Sequence, residues 1–117
     1  MHEVSVAQEL VATVAKVAAE HRARAVTSVS VAIGELAGVV PDALELAFAM
    51  VTRGTIAEGA KLVCQRTPLT VACTACGREG PGSLEELGCT ACGAPVRVTG
   101  GRELRLCTID VEDDDHA

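Results

Sequence analysis

The sequence predicts an α+β fold: two helices packed on a small three-stranded sheet, with a four-cysteine module inserted before the last strand. Three observations predict it. Helical periodicity near the N-terminus and again after Pro41 brackets a run of alternating residues, and two more short apolar runs follow. The pentapeptide Cys73-Thr74-Ala75-Cys76-Gly77 returns unchanged as Cys89-Thr90-Ala91-Cys92-Gly93. Strand-like runs lie on both sides of this repeat, so residues 1–68 and 99–117 are expected to form one α/β domain, and 69–98 a separate module of zinc-ribbon type.

Val4 to about Arg22 reads as an amphipathic helix. Ser5, followed three residues later by Gln8, fits a capping box, and Leu10, Val14, Val17 and His21 recur at helical spacing. His21 falls at the helix end, where a solvated imidazole is expected. From Val26 to Ile33 the chain alternates, with Val29, Val31 and Ile33 on one face and Ser28, Ser30 and Ala32 on the other, as in a half-buried strand. Gly34 and Gly38 bracket a loop.

Pro41 opens the second helix, where its missing N–H costs nothing. Asp42 and Glu45 lie in the first turn, which favours negative charge. Leu44, Ala47, Phe48 and Val51 make the inner stripe, and Gly54 ends the helix. Phe48 is the one aromatic residue of the chain and the expected centre of the core. The stretch from Gly54 to Lys61 is no phosphate loop: Ala60 separates Gly59 from Lys61, and Leu62 stands where Ser or Thr is needed. Lys61 to Thr67 reads as a second strand, stopped by Pro68. Thr99-Gly100-Gly101 reads as a hinge into a last strand from Glu103 to Val111. Leu104 and Leu106 share one phase there and Ile109 and Val111 the other, a slip that suggests a β-bulge or a change of covered face. The acidic tail from Glu112 to Ala117 is expected to be disordered, and His116 within it to be at most a weak ligand.

The repeated pentapeptides carry the chemistry. Two residues between paired cysteines let one tight turn aim both sulfurs at a single point, and the glycine after each pair supplies a φ > 0 position. The pattern C-x2-C-x12-C-x2-C thus presents four sulfurs, which suits tetrahedral Zn²⁺. Cys73, Cys76, Cys89 and Cys92 are the candidate ligands, and an all-thiolate shell leaves no open position, so the zinc is structural and not catalytic. A thioredoxin-like redox pair would leave the second knuckle unexplained. Rubredoxin-type iron uses similar knuckles, but around an aromatic-rich core. Cys64 and Cys107 lie on strands outside the knuckles; they are expected as small buried hydrophobes, on adjacent strands that could bring them into disulfide range under oxidation.

Composition excludes several functions. The 117 residues carry a net charge of −6, which argues against nucleic acid, since phosphate binding needs clustered Lys and Arg. There is no run of about 18 apolar residues to span a membrane, and Met1-His2-Glu3 does not open a signal peptide. Six cysteines without a secretion signal favour thiolate chemistry in a reducing compartment, hence a cytoplasmic protein.

Taken together, these residues resemble the HypA/HybF family, the nickel metallochaperones of [NiFe]-hydrogenase maturation. The match is carried by Met1-His2-Glu3, Ile33-Gly34-Glu35-Leu36-Ala37-Gly38-Val39, Pro41-Asp42-Ala43-Leu44, Phe48, Val51-Thr52-Arg53-Gly54-Thr55, Ala57-Glu58-Gly59-Ala60, both knuckles, Val98-Thr99-Gly100-Gly101 and Glu103-Leu104. The resemblance implies a Ni²⁺ site at Met1, His2 and Glu3, which makes residues 1–68 and 99–117 the nickel-binding domain. A histidine at position 2 offers the α-amine, its own backbone nitrogen and its imidazole as a fused chelate, a donor set suited to Ni(II) or Cu(II). Glu3 would add a fourth donor or orient the others. Some relatives place histidines in or beside the zinc module; this chain has none between Arg22 and Asp115. The implied function is delivery of nickel, not catalysis. The implied partners are the maturation GTPase HypB and the hydrogenase large-subunit precursor, with urease a possible recipient and the chain itself a monomer or weak dimer. The competing reading is a zinc-ribbon adaptor without nickel function, against which the acidic charge and the Met1-His2-Glu3 start both speak. An enzyme is a third reading, for which no catalytic set or phosphate loop is present.

Overall fold

A computed structural model describes residues 2–83 and 88–113 of the chain, the side chain of His2 excepted. The order of elements is α1 (His2–Glu20), β1 (Ala23–Gly34), α2 (Pro41–Val51), β2 (Lys61–Thr67), β3 (Thr70–Cys73), β4 (Glu79–Pro81), β5 (Val96–Gly100) and β6 (Leu104–Asp113). One three-stranded sheet runs β2-β1-β6 and a second runs β4-β3-β5. The chain divides into two compact units, one from Met1–Val31, Val39–Gln65 and Arg105–Ala117, the other from Ala32–Gly38 and Arg66–Leu104. No helix among the described residues is long and apolar enough to cross a membrane.

In the first unit α1 packs against α2. The buried residues of α1 are Ala7, Val11, Val14 and Ala18, a clean helical stripe rotated by about one residue from the expected one. Leu10 and Val17 are only half-buried, and His21 is exposed in the turn that follows. The buried stripe runs through the small Ala7 and Ala18 and not through the larger Leu10. The helix also begins at His2 and not near Val4, so the capping box is incorrect: Ser5 and Gln8 lie exposed inside the helix. Helix α2 starts at Pro41 and buries Leu44, Ala47 and Phe48. Fully burying a side chain such as Phe48 or Leu44 contributes about 1.5–3 kcal/mol. The helix stops at Val51 with Thr52 as its C-cap, short of Gly54, whose φ of +77° serves the next turn.

Strand β1 is central, and its second half loses the expected alternation. Val31, Ala32, Ile33 and Gly34 are all buried, because both faces are covered there. Strand β2 has the expected limits, and the segment from Gly54 to Ala60 is a series of turns leading from a helix into a strand, the reverse of the order a phosphate loop needs. In β6 the half-buried residues are Leu106 and Ile109. Their spacing of three fits the expected phase slip. The expected disorder of the tail is corrected for Glu112 and Asp113, which belong to β6, where the Glu112 carboxylate pairs with Arg24 at 2.6 Å. Residues 114–117, His116 included, lie outside the described residues.

The second unit is organised by β3, which pairs antiparallel with β4 (Val71 opposite Gly80) and with β5 (Ala72 opposite Arg97). This second sheet was not legible in the sequence. Nor is Thr99-Gly100-Gly101 a loose hinge. Thr99 and Gly100 close β5, and three chain segments meet at Gly101: the Leu36 N–H donates to its carbonyl at 2.6 Å, the Gly34 N–H to the Glu103 carbonyl at 2.7 Å, and the Glu35 N–H to the Thr67 carbonyl at 3.1 Å.

Candidate metal centre

Each knuckle is built the same way by its five residues. The Cys73 N–H donates to the Arg78 carbonyl at 2.8 Å, and the Gly77 N–H returns to the Cys73 carbonyl at 3.2 Å. In the second knuckle the Cys89 N–H donates to Ala94 at 2.8 Å and the Gly93 N–H to Cys89 at 2.8 Å. Gly77 and Gly93 have φ of +77° and +76°, the left-handed turn that residues with a Cβ enter at a cost. Thr74 joins the knuckles, its N–H and hydroxyl both donating to the Pro95 carbonyl, at 3.2 and 2.9 Å.

The four sulfurs all lie within 4.8 Å of one another. The Cys73–Cys92 separation is 3.5 Å and the Cys76–Cys89 separation 3.9 Å. A regular tetrahedron with metal–sulfur bonds of about 2.3 Å has sulfur–sulfur edges of about 3.8 Å. These two separations lie close to the edges of such a tetrahedron, and the four-sulfur group fits zinc. Cys73 is buried and Cys89 half-buried, while Cys76 and Cys92 face solvent.

The local electrostatics prepare thiolates. N–H groups of Cys76 and Ala75 point at the Cys73 sulfur, at 3.3 and 3.4 Å, and with lesser help from the Cys92 and Cys76 thiols they bring that thiol down to about 6. The backbone amides of Cys92 and Ala91 likewise lower Cys89. At Cys92 the Ala94 N–H lowers the value, but the Cys73 and Cys89 thiols outweigh it and push the group up to about 11. Four sulfurs this close cannot all ionise alone, and a divalent cation is what relieves their repulsion. A bound zinc would supply folding energy, its four positions filled by protein.

Cys64 and Cys107 stand apart from this centre, and the expectation about them is corrected. Cys107 is exposed on β6 and Cys64 is half-buried on β2, and β1 runs between the two strands. Strands two places apart are separated by roughly 9–10 Å, beyond disulfide reach. Burial, then the carboxylates of Glu45 and Asp42, push the Cys64 thiol up.

Of the three N-terminal candidates, Met1 and the His2 side chain lie outside the described residues. Glu3 is half-buried in the first turn of α1, and its Oε2 accepts from the Val40 N–H at 3.3 Å. Val40 is the N-cap residue of α2 and has no side-chain cap of its own, so one carboxylate serves the N-termini of both helices, where negative charge is favoured.

Sequence reasoning missed Glu103. Its Oε1 accepts from the Gly101 and Arg102 N–H groups at 2.7 and 2.9 Å, and its Oε2 from the Thr67 hydroxyl at 2.6 Å. Thr67 first, then those amides, hold the carboxyl down to about 2. The carboxylate thereby ties the strand that leads into the knuckle unit to the strand that leads out. A lone Glu at a strand start gives no such signal in the sequence.

The fold and this site define a class: small α+β proteins that carry a closed, four-thiolate metal knuckle. Comparison with known proteins narrows it. Residues 1–111 match the family described as hydrogenase/urease nickel incorporation, metallochaperone, hypA. The hydrogenase maturation factor HypA of Geobacter metallireducens is 46% identical over 113 residues, spanning 96% of this chain and 100% of its own. That of Archaeoglobus fulgidus is 40% identical over 112 residues, spanning 96% and 99%. The solution structure of the nickel metallochaperone HypA from Helicobacter pylori shares the fold, with a TM-score of 0.69 at 24% identity over 96% of this chain and 98% of that one. A second solution structure of a HypA protein gives 0.71 at 26% identity, over 95% and 96%. The chain belongs to the HypA family, the nickel metallochaperones of hydrogenase maturation.

Proposed function

We propose that this chain binds Ni(II) at its N-terminus, through Met1, His2 and Glu3, and hands it to the hydrogenase large-subunit precursor, with zinc held structurally by Cys73, Cys76, Cys89 and Cys92. The observation that carries the nickel reading is the start of α1 at His2. The first four N–H groups of a helix have no intrahelical acceptor. The amide nitrogen of His2 therefore carries no helical hydrogen bond that a metal would have to displace. Together with the α-amine and the His2 imidazole it supplies the nitrogen-rich donor set that suits square-planar Ni(II). Glu3, whose carboxylate already engages Val40, supports the site by orientation as much as by ligation.

Such a site releases its cargo by ligand exchange and proton competition. The amine and imidazole have reference pKa values near 7.7–8.0 and 6.5, so affinity falls as pH drops from about 7.5 toward 6. The maturation GTPase HypB is the proposed partner, the cytoplasm the proposed setting, and urease a further possible recipient. On this reading residues 1–68 and 99–117 form the nickel-binding domain and 69–98 the zinc-ribbon domain, and the protein delivers metal without catalysing a reaction. Calorimetric Ni(II) titration of zinc-loaded, untagged variants tests the site. His2→Ala abolishes stoichiometric binding with zinc content unchanged, and Glu3→Gln weakens it less. Full nickel binding by His2→Ala would remove His2 from the site.

A further inference from the structure

Strand β6 is an outer strand of its sheet, with β1 on one side and no strand among the described residues on the other. An outer strand presents a row of unpaired N–H and C=O groups, which proteins ordinarily guard with short length, Lys or Pro. The opposite outer strand, β2, is guarded in this way: it has seven residues, carries Lys61 and Arg66 and runs into Pro68. Strand β6 is not. It runs for ten residues without Lys or Pro, and Leu106, Cys107, Thr108 and Ile109 stand uncharged between Arg105 and Asp110. Cys107, Thr108, Asp110 and Val111 are exposed. The same strand forms one wall of an open cavity of about 590 Å³, through Leu106, Ile109 and Val111, with Val17 of α1 on the other side and His21 and Asp113 also lining it. That volume is within the range of ligand-binding clefts.

The charges around the cavity say what fits it. Asp113 lines it, and no Lys or Arg does. The Glu112 carboxylate is taken up by Arg24, while Asp110 and Asp113 have no ion-pair partner among the described residues. Asp114 and Asp115 follow directly in sequence. Against these stand Arg105, at the far end of β6, and Arg22, in the turn after α1. We propose that β6 accepts an extended peptide segment of a partner protein as an added strand. An apolar side chain of that segment enters the cavity, and a Lys or Arg on the same side meets Asp113. Side chains alternate across a strand, so the apolar and the basic residue stand two positions apart. Main-chain hydrogen bonds to the open edge supply affinity, and the cavity with its carboxylate supplies selectivity. The interface is independent of the nickel reading.

The probe is a capped synthetic peptide, Lys-Thr-Val-Thr-Val-Thr-Lys, whose pattern is the same in either strand direction. Amide NMR spectra of the reduced, zinc-loaded, isotope-labelled full chain follow its binding. Saturable shifts are expected at Leu106 to Asp113 and at Val17, Ala18 and His21, with dissociation on the order of 1 mM for so small a contact. The same peptide N-methylated along its backbone keeps every side chain but cannot pair with a strand edge, and it is expected not to bind. Asp113→Lys and Val111→Asp, both at exposed positions, each weaken binding by about threefold or more with the rest of the spectrum unchanged. Val111→Asp separates the proposal from plain charge attraction, because it removes apolar wall while adding a negative charge. No saturable shift up to about 5 mM peptide, equal binding of the N-methylated peptide, tighter binding by Val111→Asp, or shifts spread over carboxylates elsewhere, such as Glu35 and Glu45, overturns the proposal. So does concentration-dependent shifting of β6 without peptide, which would make a second copy the occupant.

Discussion

Gly34→Ala adds one methyl group where three segments of backbone already touch. The added Cβ would lie 2.1 Å from the Gly101 carbonyl oxygen, 2.2 Å from its carbon and 2.8 Å from the Arg102 nitrogen. None of these is the loose end of a side chain. Gly101 cannot retreat, because its φ is +102° and a Cβ built on it would lie only 2.8 Å from the Leu69 Cα, while its carbonyl is held by Leu36 and its amide by Glu103. Two effects oppose each other. Replacing glycine where its φ is ordinary returns about 0.4–1 kcal/mol through the unfolded chain. Overpacking costs about 1–3 kcal/mol, and bending away strains the Gly34–Glu103 and Leu36–Gly101 bonds, worth about 0.5–1.5 kcal/mol each. The clash wins, by about 3 kcal/mol net destabilisation or a loss of roughly 10–15 °C in Tm for a chain of this size. Urea unfolding of the zinc-loaded protein, followed by far-ultraviolet circular dichroism, reads it directly. Gly80→Ala is the control, since nothing lies within 4 Å of its added Cβ, and it should stay within about 1 kcal/mol of wild type. A Gly34→Ala protein as stable as that control would refute the crossing as described.

At the knuckles, Cys73→Ser and Cys92→Ser each release the zinc and expose amides of the 66–104 region to hydrogen exchange, because metal binding there is folding energy; unchanged zinc by elemental analysis in both variants would exclude the four-thiolate site. Glu103→Gln removes a carboxylate whose folded pKa is depressed, so the stability it contributes is present above the ordinary glutamate range near 4.3 and is lost as pH falls toward 2. The urea midpoint gap between wild type and Glu103→Gln should thus be widest near neutral pH and close on acidification, and a gap that stays constant with pH would show that the charge does not matter.

Much of the fold was legible wherever a residue type dictates the backbone. Pro41 marked the start of α2, Pro68 the end of β2, and the two Cys-x-x-Cys-Gly repeats gave the metal centre with its turn glycines. The errors have physical causes. The start of α1 was misplaced because Ser5 and Gln8 have capping spacing but sit inside a helix that begins at His2. Its buried stripe was misread because it runs through Ala7 and Ala18, and alanine gives little amphipathic contrast. Strands β3, β4 and β5 have 4, 3 and 5 residues; pairing this short is set by the closed knuckles, not by local propensity. Glu103 was invisible because its role comes from Thr67, thirty-six residues away in sequence. Cys64 and Cys107 were placed side by side for want of strand order, which inserts β1 between them.

The central claim is nickel binding by a free N-terminus at Met1, and one comparison tests it most directly. Zinc-loaded chain beginning at Met1 and the same chain with a single residue added before Met1 are titrated with Ni(II) by calorimetry at pH 7.5 and pH 6. The extension removes the α-amine from the chelate and leaves His2, Glu3 and the four cysteines in place. One nickel per chain is expected for the native start at pH 7.5, with much weaker binding at pH 6 as the amine and imidazole take up protons. The extended chain should bind no stoichiometric nickel at either pH and retain its zinc. Equal nickel binding by the two proteins would contradict the account.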